Sequence, residues 1–201
     1  LDDRFLSSPS LALERAHDAV VQMSEFARDN YRLAVELIWK FDAKKLERLN
    51  ETEVALDKLE GLLDNYLVKL TDRALTAEES TRVSELLHTL SDFERIGDYA
   101  VNVSESAVVL HDRNITFSPQ ARAELERLTA AVGETLDKTV ACYQSRQRTL
   151  AVQVEPLEEV VDLIAATLKN RHVERLKAGE CTIELGTQFL ELLINLERMS
   201  D

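Results

Sequence analysis

Residues 93–98 read FERIGD, and residues 196–201 read LERMSD. The repetition is not confined to this phrase. Ser8-Pro9 recurs as Ser118-Pro119 after 110 residues, Glu53 and Asp57 recur as Glu158 and Asp162 after 105, and Glu94 and Asp98 recur as Glu197 and Asp201 after 103. The shrinking offset implies shorter connections in the second copy rather than different elements. A period near one hundred residues is too long for a solenoid repeat, which runs roughly 20–50 residues. It predicts a duplicated unit, and the elements within each copy read as three helices joined by short loops, which makes neighbours antiparallel. The expected fold is therefore all-α: two tandem three-helix bundle repeats, residues 1–112 and 113–201.

Composition supports helices throughout. Glycine (5) and proline (3) are scarce in 201 residues, and 45% of the chain is apolar, enough for a real core. Helices are expected over residues 9–45, 50–71, 76–111, 119–150 and 155–176, and from about 182 to the end. Pro9 and Pro119 suit the first turn behind Ser8 and Ser118. Asn50 with Glu53, and Thr76 with Glu79, have capping-box spacing, and Gly179 is a C-terminal stop. The boundary between the halves falls in the segment DRNITFSP, residues 112–119.

The net charge of −13 argues against nucleic acid and against docking on an anionic membrane face, both of which need clustered Lys and Arg. No run of ~18 apolar residues is present, so no membrane insertion is expected, and no signal peptide is visible. Two cysteines, Cys142 and Cys181, lack metal-ligand spacing and suit buried or half-buried thiols. The start at Leu1 and the abrupt stop at Asp201 suggest a piece of a longer protein.

At a spacing of four, Glu94 and Asp98 stack on one helix face, as do Glu197 and Asp201, and each pair costs an isolated helix a few tenths of a kcal/mol, roughly. A cation relieves that repulsion. Helical phase at ~100° per residue sets these acids beside the apolar stripes, at the rim of the bundle, with Glu53 and Asp57 on the second helix and Glu158 and Asp162 on the fifth as companions. All-oxygen ligands suit Mg²⁺, Ca²⁺ or Mn²⁺, and clustered carboxylates also hold iron; zinc, which prefers thiolate or imidazole in structural sites, fits less well. Against metal stand a solvated acidic face and surface ion pairs to Arg95 and Arg198. A metal-free helical adaptor is a further alternative. A ferritin-like oxidase would need Glu-x-x-His pairs in the bundle interior; Glu14/His17 and Glu85/His88 have the spacing but the wrong faces. His111 and His172 are expected on the surface.

The stretch ERIGDYAVN at residues 94–102, its echo ERMSD and the two three-helix repeats resemble the PhoU family of phosphate-signalling proteins. The resemblance implies clustered metal ions bound by Glu94, Asp98, Glu197 and Asp201, with Glu53, Asp57, Glu158 and Asp162 as matching acids on the preceding helices. It implies a regulatory domain for phosphate uptake that is not an enzyme. The opening LDDRFLSSPSLALERA is similar to the stretch joining the membrane part of bacterial Na⁺/phosphate cotransporters to a PhoU-like cytoplasmic tail. On that reading the partner is a transporter portion of the same polypeptide at the cytoplasmic face of the membrane; the alternative is a stand-alone PhoU-type regulator. Rim acids leave room for a homo-oligomer. The second motif lacks a counterpart of Asn102, so its helix is expected to be incomplete.

Overall fold

The computed structural model describes residues 2–146 and 148–201. Among these it contains six long helices, α1 (Pro9–Trp39), α2 (Ala43–Thr71), α3 (Ala77–Asp112), α4 (Pro119–Ser145), α6 (Glu155–Lys177) and α7 (Ile183–Arg198), plus the single-turn α5 (Arg148–Ala151) and an opening 3₁₀ turn, Asp3–Ser7; no strand occurs. None of the helices is long and apolar enough to cross a membrane.

Several ends follow the local chemistry of the sequence. Thr76 and Glu79 form the reciprocal capping box at the start of α3. Ser118 Oγ accepts from the Ala121 amide at the start of α4, with Pro119 at the first turn. Thr182 does the same for Leu185 on α7, and Gly179, at φ +70°, stops the chain after α6 in the left-handed region.

Three expectations need correction. The break between the first two helices lies at 40–42, not 45–50. Lys40 is extended, and Asp42 caps α2 by accepting from the Lys44 and Lys45 amides at 2.9 and 3.3 Å. Asn50 and Glu53 therefore sit mid-helix, and the capping-box spacing there is a coincidence. The fourth helix ends at Ser145 rather than 150, with Arg146 at φ 55°. Asp201 lies beyond the C-cap of α7, so it does not stack one turn below Glu197.

Helices α1, α2 and α3 pack on one another, as do α4, α6 and α7. Across the boundary α1 meets α4 and α3 meets α7, first helix against first and third against third, a pairing that a twofold relation between duplicated units would give. Asn102 Nδ2 donates to Asn195 Oδ1 at 3.1 Å across the α3–α7 seam, and Tyr31 Oη donates to the Thr129 carbonyl across α1–α4. The core follows the same seam. One cluster, with Leu13, Met23, Leu63 and Phe93, has all its buried members in the first half, with Tyr143 of α4 packed against it. The other joins Leu37, Leu49 and Val103 to Leu125, Leu128, Phe189 and Leu192 of the second.

Candidate functional site

The α2–α3 contact is built around a missing side chain. A Cβ added at Gly97 would stand 2.7 Å from Glu53 Oε2 and 2.9 Å from Leu56 Cδ1, closer than any real contact. The glycine of FERIGD thus lets α2 lie against the α3 backbone with the Glu53 carboxylate folded over it. Both Glu53 oxygens are buried, and among the described residues the side chain within hydrogen-bonding reach is another acid, Asp98, rather than a donor. An enclosed carboxylate without donors is costly. Burial pushes Glu53 up to about 8, with Asp57 and Asp98 adding to the shift. Asp98 is itself an acceptor, so the two can share a proton but cannot satisfy two charges.

Glu94 behaves similarly: burial, then Asp98 and Glu60, push it up to about 7. Glu60 is raised as well, by burial and then by Asp57, Asp64 and Asp98. The neighbours acting on these three groups are other carboxylates. Sequence phase placed the acids at the rim, and the structure refines this: Glu53 and Glu94 are half-buried, while Asp57 and Asp98 are exposed. Arg95 turns away from the cluster and meets Asp92 at 3.9 Å.

The second half repeats the arrangement on α6 and α7. Glu158 and Glu197 are half-buried, and Asp162 and Asp201 are exposed. Glu158 is raised by burial and then by Asp201 and Asp162. Asp201 is raised by burial and then by Asp162 and Glu197, so it joins the cluster from outside the helix. A base enters here: Lys169 Nζ donates to Glu197 Oε2 at 2.5 Å.

The eight acids expected from the sequence therefore fall into two groups of four. Among the described residues, no group of three or more Asp, Glu, His or Cys side chains is arranged so that it could hold a metal ion. The donor set is nonetheless that of a hard cation, and the orphaned oxygens of Glu53 supply unused acceptor capacity. Glu60, one turn beyond Asp57 on α2, belongs to the first group by position as well. Gly97 and Lys169 were missed. The glycine inside an otherwise helix-favouring phrase was the available signal for the first.

The histidine pairs go elsewhere. Glu14 is held by Arg146 and Arg82, His17 stacks on Tyr143 with ring centroids 4.9 Å apart, and His88 is exposed. His172 is not a surface residue: it is 1% exposed and stacks on Phe189. Its helix faces the core there because Leu168 lies one turn before it on the same side.

Two helix trios joined across equivalent helices, each with carboxylates on its second and third members, define a duplicated helical protein with paired acidic clusters. The PhoU domain matches residues 20–107 and 125–201, one stretch in each half, and the chain belongs to the PhoU domain family. It is similar to the phosphate-specific transport system accessory protein PhoU homolog of Xylella fastidiosa (strain 9a5c), 24% identical over 190 residues, covering 94% of this chain and 79% of that protein. The homolog from Streptococcus pneumoniae (strain TIGR4) is 21% identical over 207 residues, covering 100% of this chain and 85% of that one. The fold matches the crystal structure of PhoU from Pseudomonas aeruginosa with a TM-score of 0.88 at 21% identity, over 96% of this chain and 91% of that one. The phosphate transport system regulatory protein PhoU from Streptococcus pneumoniae matches with a TM-score of 0.83 at 16% identity, over 96% and 90%.

Proposed function

We propose that this chain is a regulator of phosphate transport that binds hard divalent or trivalent cations on its paired carboxylates. The transport assignment rests on family membership and on relatives named as accessory proteins of phosphate-specific transport. The cation assignment rests on one observation above all: the Glu53 carboxylate, enclosed between α2 and Gly97 and without a donor, beside Asp98 and Asp57. A bound cation would supply the positive charge these groups lack and tie α2 to α3, so cation occupancy would set the stiffness of that face. No reaction is catalysed on this reading.

The relatives' names favour a stand-alone regulator over a transporter tail. The tail reading keeps one support, the likeness of the opening LDDRFLSSPSLALERA to transporter–tail junctions. Transmembrane spans encoded upstream in the same reading frame would decide for it.

The cation reading is tested by titrating chelator-treated protein with Mn²⁺ and measuring free Mn²⁺ by electron paramagnetic resonance. Binding that weakens at least tenfold in Glu53→Gln supports it; no binding at millimolar Mn²⁺ sinks it. The regulatory reading is tested by expressing the chain in a bacterium deleted for its own PhoU. Unchanged phosphate uptake and unchanged phosphate-starvation signalling would count against it.

A further inference from the structure

Four of the five glycines have a reason inside the chain. A Cβ at Gly97 or Gly186 would stand 2.7 Å from Glu53 Oε2 or 3.0 Å from His172 Nε2, Gly133 faces the Tyr31 ring, and Gly179 takes a φ of +70°. Gly61 has no such reason. It lies in the middle of α2, and among the described residues nothing comes within 4 Å of its Cβ position. Glycine there is less favourable for the helix than alanine, with no internal contact to offset the loss. Its neighbours on the helix point outward too. Glu51, Val54, Lys58, Gly61, Asn65 and Val68 follow one another in steps of three and four, the spacing of a coiled-coil seam, and all six are exposed. Val54 and Val68 are 68% and 50% exposed, with Gly61 midway between them, and Leu62 beside the seam is 55% exposed. The core-facing residues of α2, such as Leu56, Leu63 and Leu70, lie on the other side.

We propose that this outward face of α2 docks a second copy of the chain, α2 against α2 in parallel, with the two Gly61 residues at the closest approach. The charges along the seam select both the occupant and its direction. One edge carries Asp57 and Asp64, the other Leu62 and Lys69, and Lys58 lies within the seam. An antiparallel copy would set the acidic edge against itself. A parallel copy in register sets Asp64 across from Lys69 of the second copy and Lys58 beside Asp57 of the second copy, each contact made twice. Asn65 then meets its own counterpart, a polar seam residue of the kind that fixes register. Among the described residues neither Lys58 nor Asp64 forms an ion pair. Lys69 Nζ donates to Asp3 Oδ2 at 2.8 Å, with the two side chains 54% and 65% exposed, so that bond is open to exchange. With two valines and a leucine from each copy the apolar contact is small, and the dimer is a weak one. The inference does not depend on the cation reading.

The test is sedimentation equilibrium of the whole chain in chelator, from 5 μM to 1 mM. Wild type should pass from monomer to dimer across that range. Gly61→Leu, which puts a side chain at the closest approach, should weaken association at least tenfold, while its Tm in dilute solution stays at or above that of wild type. Asp64→Lys and Lys69→Glu should each weaken association at least tenfold, because each sets like charges across the seam. An equimolar mixture of those two variants should recover it, since the mixed dimer pairs each new lysine with a new glutamate and keeps one native pair. Wild type that stays monomeric to 1 mM overturns the proposal. So does a dimer that Gly61→Leu leaves unchanged, or a mixture that associates no better than its parts, which would place the contact elsewhere or in the other direction. A Gly61→Leu chain that melts below wild type would show an internal role for the glycine and remove the observation on which the docking surface rests.

Discussion

The carboxylate of Glu53 lies over Gly97, with Oε2 2.7 Å from where a Cβ would be. Gly97→Ala therefore pits two effects against each other. Alanine in a helix gains about 1 kcal/mol over glycine, whereas overpacking costs roughly 1–3 kcal/mol. Glu53 can swing out at its flexible end, but Leu56 Cδ1 at 2.9 Å belongs to a fully buried side chain with no room to retreat. The expected net result is destabilisation by up to about 2 kcal/mol, read from urea denaturation. A more stable alanine variant would contradict the close approach described for α2 and α3.

The same cluster makes the cation-free protein sensitive to alkali. Glu53 and Glu94 are pushed up to about 8 and about 7, so the folded state holds protons there that the unfolded chain releases near pH 4.5. For carboxylates raised in this way the sign is a loss of stability as pH rises, beginning above 4.5 and complete once both groups ionise near pH 8. In chelator, Tm should fall between pH 5 and pH 9. Glu53→Gln should lessen that fall, raising Tm at pH 9 by about 2–4 °C, the equivalent of ~1 kcal/mol in a protein of this size. A Tm that rises across this range would contradict the prediction.

His172 acts in the opposite pH window. Burial, and then the Arg175 charge, hold it below its ordinary value, and among the described residues its enclosed Nε2 has no hydrogen-bond partner. A depressed histidine favours the fold while neutral, so its contribution is complete above the unfolded value of about 6.5 and is lost as pH falls below it. His172→Phe, which keeps a ring against Phe189, should therefore gain stability relative to wild type as pH falls from 7.5 to 5. A difference between the two proteins that stays constant over that range would refute the assignment.

Close by, Glu124 is 3% exposed and takes Arg175 at 2.7 Å and Arg171 at 3.3 Å. Removing one partner of a buried pair leaves a charge stranded, at about 3–5 kcal/mol. Arg175→Met should cost about that much, less whatever Arg171 recovers. Adding Glu124→Leu should restore most of the loss, because the pair as a whole is worth far less than either half alone. A double variant no better than Arg175→Met would show that the loss came from packing on Phe189.

The sequence carried most of the fold. Local rules settled the ends where one chemistry had no competitor: the Thr76–Glu79 box, the Ser118-Pro119 start and the Gly179 stop. It failed where two local signals competed. Asn50 with Glu53 mimicked a cap, whereas Asp42 eight residues earlier did the capping, and the side chain freed from that role became the buried acid of the first cluster. The acids themselves were legible because they recur in register. Their unequal surroundings were not, because Glu53 is enclosed by a residue that has no side chain, and Lys169 reaches Glu197 from 28 residues away in sequence. His172 was misplaced because proximity to a helix end says less than the face it shares with Leu168.

The seam that binds α1 to α4 and α3 to α7 is the kind by which two identical subunits would pair. In such a dimer every substitution appears twice, so neither site could change without the other. Here the loop at 113–118 carries both copies on one polypeptide, and that obligation is gone. Asp64 and Lys169 occupy matching places with opposite charge, a difference that two copies of one identical subunit could not carry.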